Sequence, residues 1–233
     1  MPNWCSNYLR ITSEDTTIID KICKGIENDE GLFSLFYPIP EELNYQVGHP
    51  PTKTDDEIQA LKEKYGATDW YTWSLKNWGC KWDACDIDIV DGNDTDSLTI
   101  IFSTPWGPPI TFYKKFANDY KVEIYADYSE EGMDFCGKIQ SYVLDGEVYF
   151  NEDYRSIDEM RDDILSRYIV INKDIKVTPD DFLDKVRSLY SENYPQVNKY
   201  YDCYQVFDDY YMESRLEDDE FCKQYGIINK TTN

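Results

Sequence analysis

The chain is short of positive charge: 23 Lys and Arg stand against 46 Asp and Glu, a formal net charge of −23. The deficit runs throughout, with 12 basic and 27 acidic residues up to position 150 (−15) and 11 and 19 beyond it (−8). Nucleic-acid binding draws most of its affinity from Lys and Arg that neutralise phosphates. Direct nucleic-acid binding is therefore not expected, whereas the negative field favours basic partners and speeds their approach. Histidine is nearly absent. The single one, His49, sits in a Pro-flanked loop, and no Gly-x-Ser-x-Gly elbow occurs, so a serine-type hydrolase lacks its parts. A carboxylate pair can do acid–base work without histidine, but nothing picks one pair from 46 acids. The seven cysteines are odd in number and irregularly spaced, which suggests no disulfide framework. No apolar run approaches the roughly 20 residues that span a bilayer, and Met1–Cys5 lacks the regions of a signal peptide. These absences lead to the expectation of free thiols, a cytoplasmic location, no membrane association and no cofactor.

What is present is material for a core. Of 233 residues 41% are hydrophobic, and 21 Tyr, 10 Phe and 6 Trp supply large buried areas. Trp4–Thr12 alternates as a strand, and Ile18, Ile19, Ile22, Cys23 and Ile26 follow at helical spacing. Residues 32–82 form an insertion. Pro38, Pro40, Pro50 and Pro51 break its first half, Thr54–Glu57 has capping-box spacing before a short helix, and Asp69–Trp78 predicts another.

Strand signals recur at Cys85–Val90, Leu98–Ser103 and Val122–Tyr128, with the turn-forming run Asp91-Gly92-Asn93-Asp94 between the first two and a helix over Ile110–Asn118 before the third. The order β-α-(insertion)-β-β-α-β is the split βαβ arrangement, so the expected fold class is α+β, a ferredoxin-like antiparallel sheet over residues 1–151. Strands at Phe135–Val143 and Val148–Asn151 would extend it. Residues 152–233 read as mainly helical: Ser156–Glu159 is a second capping box, Pro179 stands at a first helical position, and Asn198–Leu216 predicts a Tyr/Asp-rich helix. With no Gly/Ser linker before it, this region is expected to dock on the sheet domain.

Gly132-Met133-Asp134-Phe135-Cys136-Gly137-Lys138 has the glycine and lysine spacing of a phosphate loop, but Ile139 follows where a hydroxyl is needed and the flanks alternate as a strand. A bend or bulge in a sheet is the better reading. Cys80 and Cys85, with Asp83 and Asp86 nearby, fall short of the four Cys/His ligands of structural zinc. The acidic series Asp83, Asp86, Asp88, Asp91, Asp94 and Asp96 misses the glycine and glutamate of a calcium loop counted from Asp91. It reads as a solvated or partner-facing acidic face, with Asp86 and Asp88 on one side of their strand as a weak metal alternative.

The distinctive residues are aromatic. Met1-Pro2-Asn3-Trp4-Cys5-Ser6-Asn7 opens the chain, Asn77-Trp78-Gly79-Cys80-Lys81-Trp82-Asp83 precedes the first hairpin, and Thr104-Pro105-Trp106-Gly107-Pro108-Pro109 follows it. With Tyr128-Ser129-Glu130-Glu131-Gly132-Met133-Asp134-Phe135-Cys136-Gly137 they make four ordered motifs. In these the chain resembles the YubB-like proteins of plasmids and bacteriophages, with Cys80 standing where a small hydroxyl residue is expected. The resemblance covers residues 1 to about 150. It implies a ferredoxin-like fold and a mobile-element gene, and carries no enzymatic activity.

Trp4, Asn7, Trp78, Lys81, Trp82 and Trp106 flank neighbouring strand ends, so they are expected to gather at one edge of the sheet, either as a structural aromatic core that fixes the insertion against the sheet, which the dominance of aromatics in cores favours, or as a binding site. The leading expectation is a non-enzymatic, protein-binding accessory factor of a phage or plasmid. Its acidic surface would oppose a host protein with a basic, nucleic-acid-binding surface, such as a CRISPR effector or defence nuclease, and inhibit it as a nucleic-acid mimic. Two other classes stay open: an enzyme or small-ligand or metal-binding protein using the Trp/Asn/Lys edge, and a scaffold or oligomer subunit.

Overall fold

A computed structural model describes residues 2–45, 53–91, 95–130, 132–172, 175–193 and 215–228. The chain divides into two units, Met1–Tyr154 and Arg155–Asn233. The first contains β1 (Trp4–Thr12), α1 (Thr16–Glu27), α2 (Asp55–Tyr65), α3 (Trp70–Asn77), β2 (Cys85–Asp91), β3 (Ser97–Pro105), α4 (Ile110–Tyr120), β4 (Glu123–Glu130), β5 (Phe135–Leu144) and β6 (Glu147–Arg155, whose last residue opens the second unit).

The six strands form one sheet in the order β2-β3-β1-β4-β5-β6. Its first four members carry the split βαβ order of a ferredoxin-like domain, with β1 in the middle and antiparallel to both β3 and β4. β5 and β6 add a hairpin beyond β4, joined by the turn residues Asp145 and Gly146, both at positive φ.

Local signals account for most of the boundaries. Asp15 caps α1, its carboxylate accepting the Thr17 N–H at 3.0 Å, and Ile18, Ile19 and Ile22 make the buried stripe. Thr54 and Glu57 form a capping box before α2, and Gly66 ends that helix in the left-handed conformation. Asp69 and Thr72 do the same for α3.

The core lies between one face of the sheet and the helices. Leu9, Ile11, Ile100, Phe102, Ile124 and Ala126 of the strands meet Ile22 of α1 and Phe112 and Phe116 of α4. The insertion is part of this core. Phe33 packs on Phe112 at 4.5 Å between centroids and on Phe102 at 5.9 Å, and Trp78 joins Phe33 at 5.9 Å. Asp83 locks the insertion down, its carboxylate accepting the N–H groups of Phe33 (2.7 Å), Ser34 (2.8 Å) and Ala84 (2.8 Å). Gly31 is required there, because a Cβ on it would collide with the Asp83 carboxylate.

β2 is an edge strand and departs from the alternation that the sequence predicts. Cys85 pairs with Ser103 and Asp88 with Ile101, so two residues, Asp86 and Ile87, oppose one; a second shift falls between Ile89 and Asp91. Asp86 takes φ +51° in the first irregularity. The expectation that Asp86 and Asp88 share a face by period two is thereby corrected: the bulge interrupts the period between them. Bulges and carboxylates on an edge strand disfavour pairing with another chain's strand.

The phosphate-loop-like stretch is a turn entering a strand, as its flanks predict: β5 begins at Phe135, and Lys138 pairs with Asp127 of β4. Gly137 lies under the Tyr128 ring, where a Cβ would come within 2.5 Å of the Tyr128 hydroxyl and of the Asp153 carbonyl.

The second unit contains α5 (Ile157–Ile171), α6 (Pro179–Asn193) and α7 (Asp219–Gln224). Ser156 and Glu159 form the capping box of α5, and Thr178 accepts the Asp181 N–H at 3.1 Å at the start of α6. Tyr168, Phe182 and Phe221 form an aromatic core, Phe182 lying 4.8 Å from Tyr168 and 6.0 Å from Phe221. A parallel bridge between Val177 and Ile227 closes the unit. The predicted helix Asn198–Leu216 lies outside the described residues except for its last two. Among the described residues, no helix is long and apolar enough to cross a membrane.

Candidate functional site

The four motifs converge on the end of the sheet where β1 starts and β3 stops. Trp4 pairs with Pro105, and the Trp106 N–H donates to the Asn3 carbonyl at 2.9 Å. Gly132 sits so close to Asn3 that a Cβ would meet its Nδ2 at 2.7 Å. The Phe112 N–H donates to the Trp78 carbonyl at 3.1 Å. Residues from four separate stretches thus build one structure.

Part of each motif is spent on the fold. Asn7 is fully buried: its Nδ2 donates to the Cys5 carbonyl (2.9 Å) and the Thr104 hydroxyl (2.8 Å), and its Oδ1 accepts the Tyr113 hydroxyl (3.1 Å). Such an interior network fixes the β1–β3–α4 junction, and its burial keeps Asn7 out of reach of a ligand. Trp78 is 3% exposed, edge-on to Trp73 at 5.7 Å, with its indole N–H donating to the Tyr37 carbonyl at 3.0 Å. Asn7 and Trp78 therefore take the structural-core reading, and as binding residues they are corrected to interior positions. Gly79 holds φ +87° against the start of α4, and Glu130 accepts the Gly132 N–H at 2.9 Å, which accounts for the Glu-x-Gly spacing.

The remaining motif residues face outward. Trp4 is 42% exposed, Trp82 37% and Trp106 50%. The Trp4 and Trp82 rings lie 6.4 Å apart and inclined at 40°. The Lys81 ammonium rests over the Trp82 ring at 4.4 Å and reaches Tyr71 of α3 at 5.9 Å. Trp106 adopts φ +71°, a region costly for a bulky side chain, and its neighbour is Gly107. Beside this cluster an open groove of about 870 Å³ is lined by Trp70, Tyr71, Leu75, Lys81, Pro105 and Trp106 among others. Tyr71 and Leu75, on one exposed side of α3, were not singled out from the sequence; their i, i+4 spacing without burial was the available signal.

A known domain family overlaps this end of the molecule. Residues 78–164 match the ferredoxin-like domain in Api92-like proteins. The matched span takes in Trp78, Lys81, Trp82 and Trp106, while Trp4 and Asn7 precede it. No curated protein matches the chain. Among solved structures, protein Api92 from Yersinia pseudotuberculosis is similar with a TM-score of 0.38 and 12% identity, over 67% of this chain and 98% of that one.

Asp86, Asp88 and Asp96 are exposed, and the Asp96 carbonyl accepts the Ser13 N–H at 2.8 Å. Asp91 ends β2, and Asp94 lies outside the described residues. Among the described residues no three His, Cys, Asp or Glu side chains are grouped to hold a metal ion. Burial pushes the Cys5 and Cys80 thiols well above their ordinary range, so both are protonated, and inert as nucleophiles, at neutral pH. What this end of the molecule offers is contact area: large rings, one ammonium and a concave floor.

Proposed function

We propose that the protein is a non-enzymatic, protein-binding factor that recognises its partner through the aromatic end of the sheet. The carrying observation is the division within the motifs. Asn7, Trp78, Gly79, Gly132 and Gly137 are consumed by the fold, whereas Trp4, Trp82 and Trp106 are left exposed, with the half-buried Lys81 over the Trp82 ring. Exposed Trp and Tyr clusters supply the energetic centres of protein interfaces, and charged residues around them set the choice of partner. The chain's net charge of −23 favours a basic partner.

The finer reading draws on the resemblance to YubB-like proteins of plasmids and phages. It makes the partner a host protein with a basic nucleic-acid-binding groove, such as a defence nuclease or CRISPR effector, which the acidic surface occludes in the bacterial cytoplasm. Affinity capture from host lysate tests this directly. The expected catch is a nucleic-acid-handling protein that is released by salt and lost with the Trp4→Ala/Trp82→Ala double variant. Recovery of no such protein at any salt concentration sinks the reading.

A further inference from the structure

We infer that the groove between Tyr71 and Trp106 is a binding site for a small planar molecule carrying a single anionic group, an aromatic carboxylate in the simplest case. This goes beyond partner recognition, although Lys81 and Trp106 belong to both surfaces, and it is carried by the groove's own lining.

The first is charge. In a chain with two acids for every base, the groove is lined by one of each, Asp69 and Lys81. Asp69 lines it, but both carboxylate oxygens are engaged, Oδ1 accepting the Thr72 N–H at 2.9 Å and Oδ2 the Thr68 hydroxyl at 2.7 Å. Lys81 also lines it, and among the described residues no carboxylate lies within ion-pair distance of its ammonium, which rests on π faces instead. Asp69 keeps its negative charge, since its hydrogen bonds are to neutral donors, so the lining carries one charge of each sign, and Lys81 is the one whose donors are left to a ligand.

Shape is the second. The walls are Trp70, Tyr71, Leu75 and Trp106, which offer flat apolar surface to a ring, and the volume of about 870 Å³ falls in the range of roughly 300–1,000 Å³ typical of small-molecule sites. The third is backbone strain. Trp106 holds φ +71° with half of its surface exposed, although glycine adopts that conformation without penalty. Folding alone does not require a tryptophan there; a wall for the groove does.

The test uses three probes on the full chain, read by NMR shifts of the Trp indole N–H and Lys81 side-chain signals. Indole-3-propionate has ring and anion, tryptamine has the same ring with a cation, and propionate has the anion alone. Indole-3-propionate is expected to bind more tightly than either of the others. Lys81→Met should weaken it about tenfold, the loss of one charge-assisted hydrogen bond, while leaving tryptamine unaffected or improved. Tryptamine binding as well as indole-3-propionate, or indole-3-propionate moving no groove signal at 10 mM (roughly the weakest affinity worth calling a site), overturns the inference. The wild-type comparison of ring-matched probes decides the matter even if the variant does not fold. Failure here leaves lysate capture untouched, and failed capture leaves these titrations untouched, so the two readings fall separately.

Discussion

Trp78 and Trp82 belong to one motif and have opposite fates. Trp78 is 3% exposed and wedged among Phe33, Trp73 and the Tyr37 carbonyl, whereas Trp82 is 37% exposed and touches Trp4 and Lys81. The same contrast separates the interior aromatic cluster of Phe33, Phe102 and Phe112 from the exterior one of Trp4, Tyr71 and Trp106. Ring for ring the two clusters have equal capacity to bury area. The interior one has used nearly all of it and the exterior one about half, and the exterior one is held in place by strand pairing, a lysine and a strained turn. The difference teaches that a motif recognisable in sequence mixes residues that make the fold with residues that the fold presents.

The sharpest way to break that comparison is to delete each ring in turn. Trp78→Ala should cost about 3–5 kcal/mol of unfolding free energy, while Trp82→Ala should cost about 0.5 kcal/mol or less. Equal losses in urea titrations would show that the exterior cluster is structural after all.

The contrast extends to carboxylates. Asp127 of β4 is 2% exposed, accepts the Tyr125 hydroxyl at 3.2 Å and has no hydrogen bond to its other oxygen among the described residues. Burial raises its pKa to about 6. The folded state therefore holds this proton more tightly than the unfolded chain. The stability it lends is complete below the ordinary value of 3.8 and is lost as pH rises through about 6. Asp127→Asn removes that dependence and should raise stability above pH 7, by about 1–3 kcal/mol, while changing little at pH 4. Stability curves at the two pH values check it; an exposed carboxylate such as Asp88 should show no comparable gain when made Asn.

The smallest effect sits on the strained turn and has the opposite sign to an ordinary deletion. Trp106→Gly relieves a left-handed conformation and should leave the fold as stable or up to about 1 kcal/mol more stable. It should at the same time weaken capture of the partner. A thermal melt and a pull-down on the same variant separate the two, and a stability loss would place Trp106 with Trp78 instead of Trp82.

Much of the fold was legible because its signals are local. The capping boxes at Thr54 and Ser156, the isoleucine stripe of α1 and the turn residues between strands all act over a few positions, and the strand order follows from their sequence. The bulge at Asp86 was not legible, since Cys85–Val90 alternates well and the irregularity arises only against β3. Burial of Asn7 was also hidden. An Asn after alternating residues gives no hint that Thr104 and Tyr113, some hundred positions away, will complete its hydrogen bonds.

By itself, then, the sequence determined the secondary structure, the split βαβ order and the acidity, because propensity, patterning and charge are properties of short segments and of totals. Only the tertiary structure decided which tryptophans are core and which are surface. That choice depends on what long-range packing brings against each ring: Phe33 and Trp73 close over Trp78, and nothing among the described residues closes over Trp106.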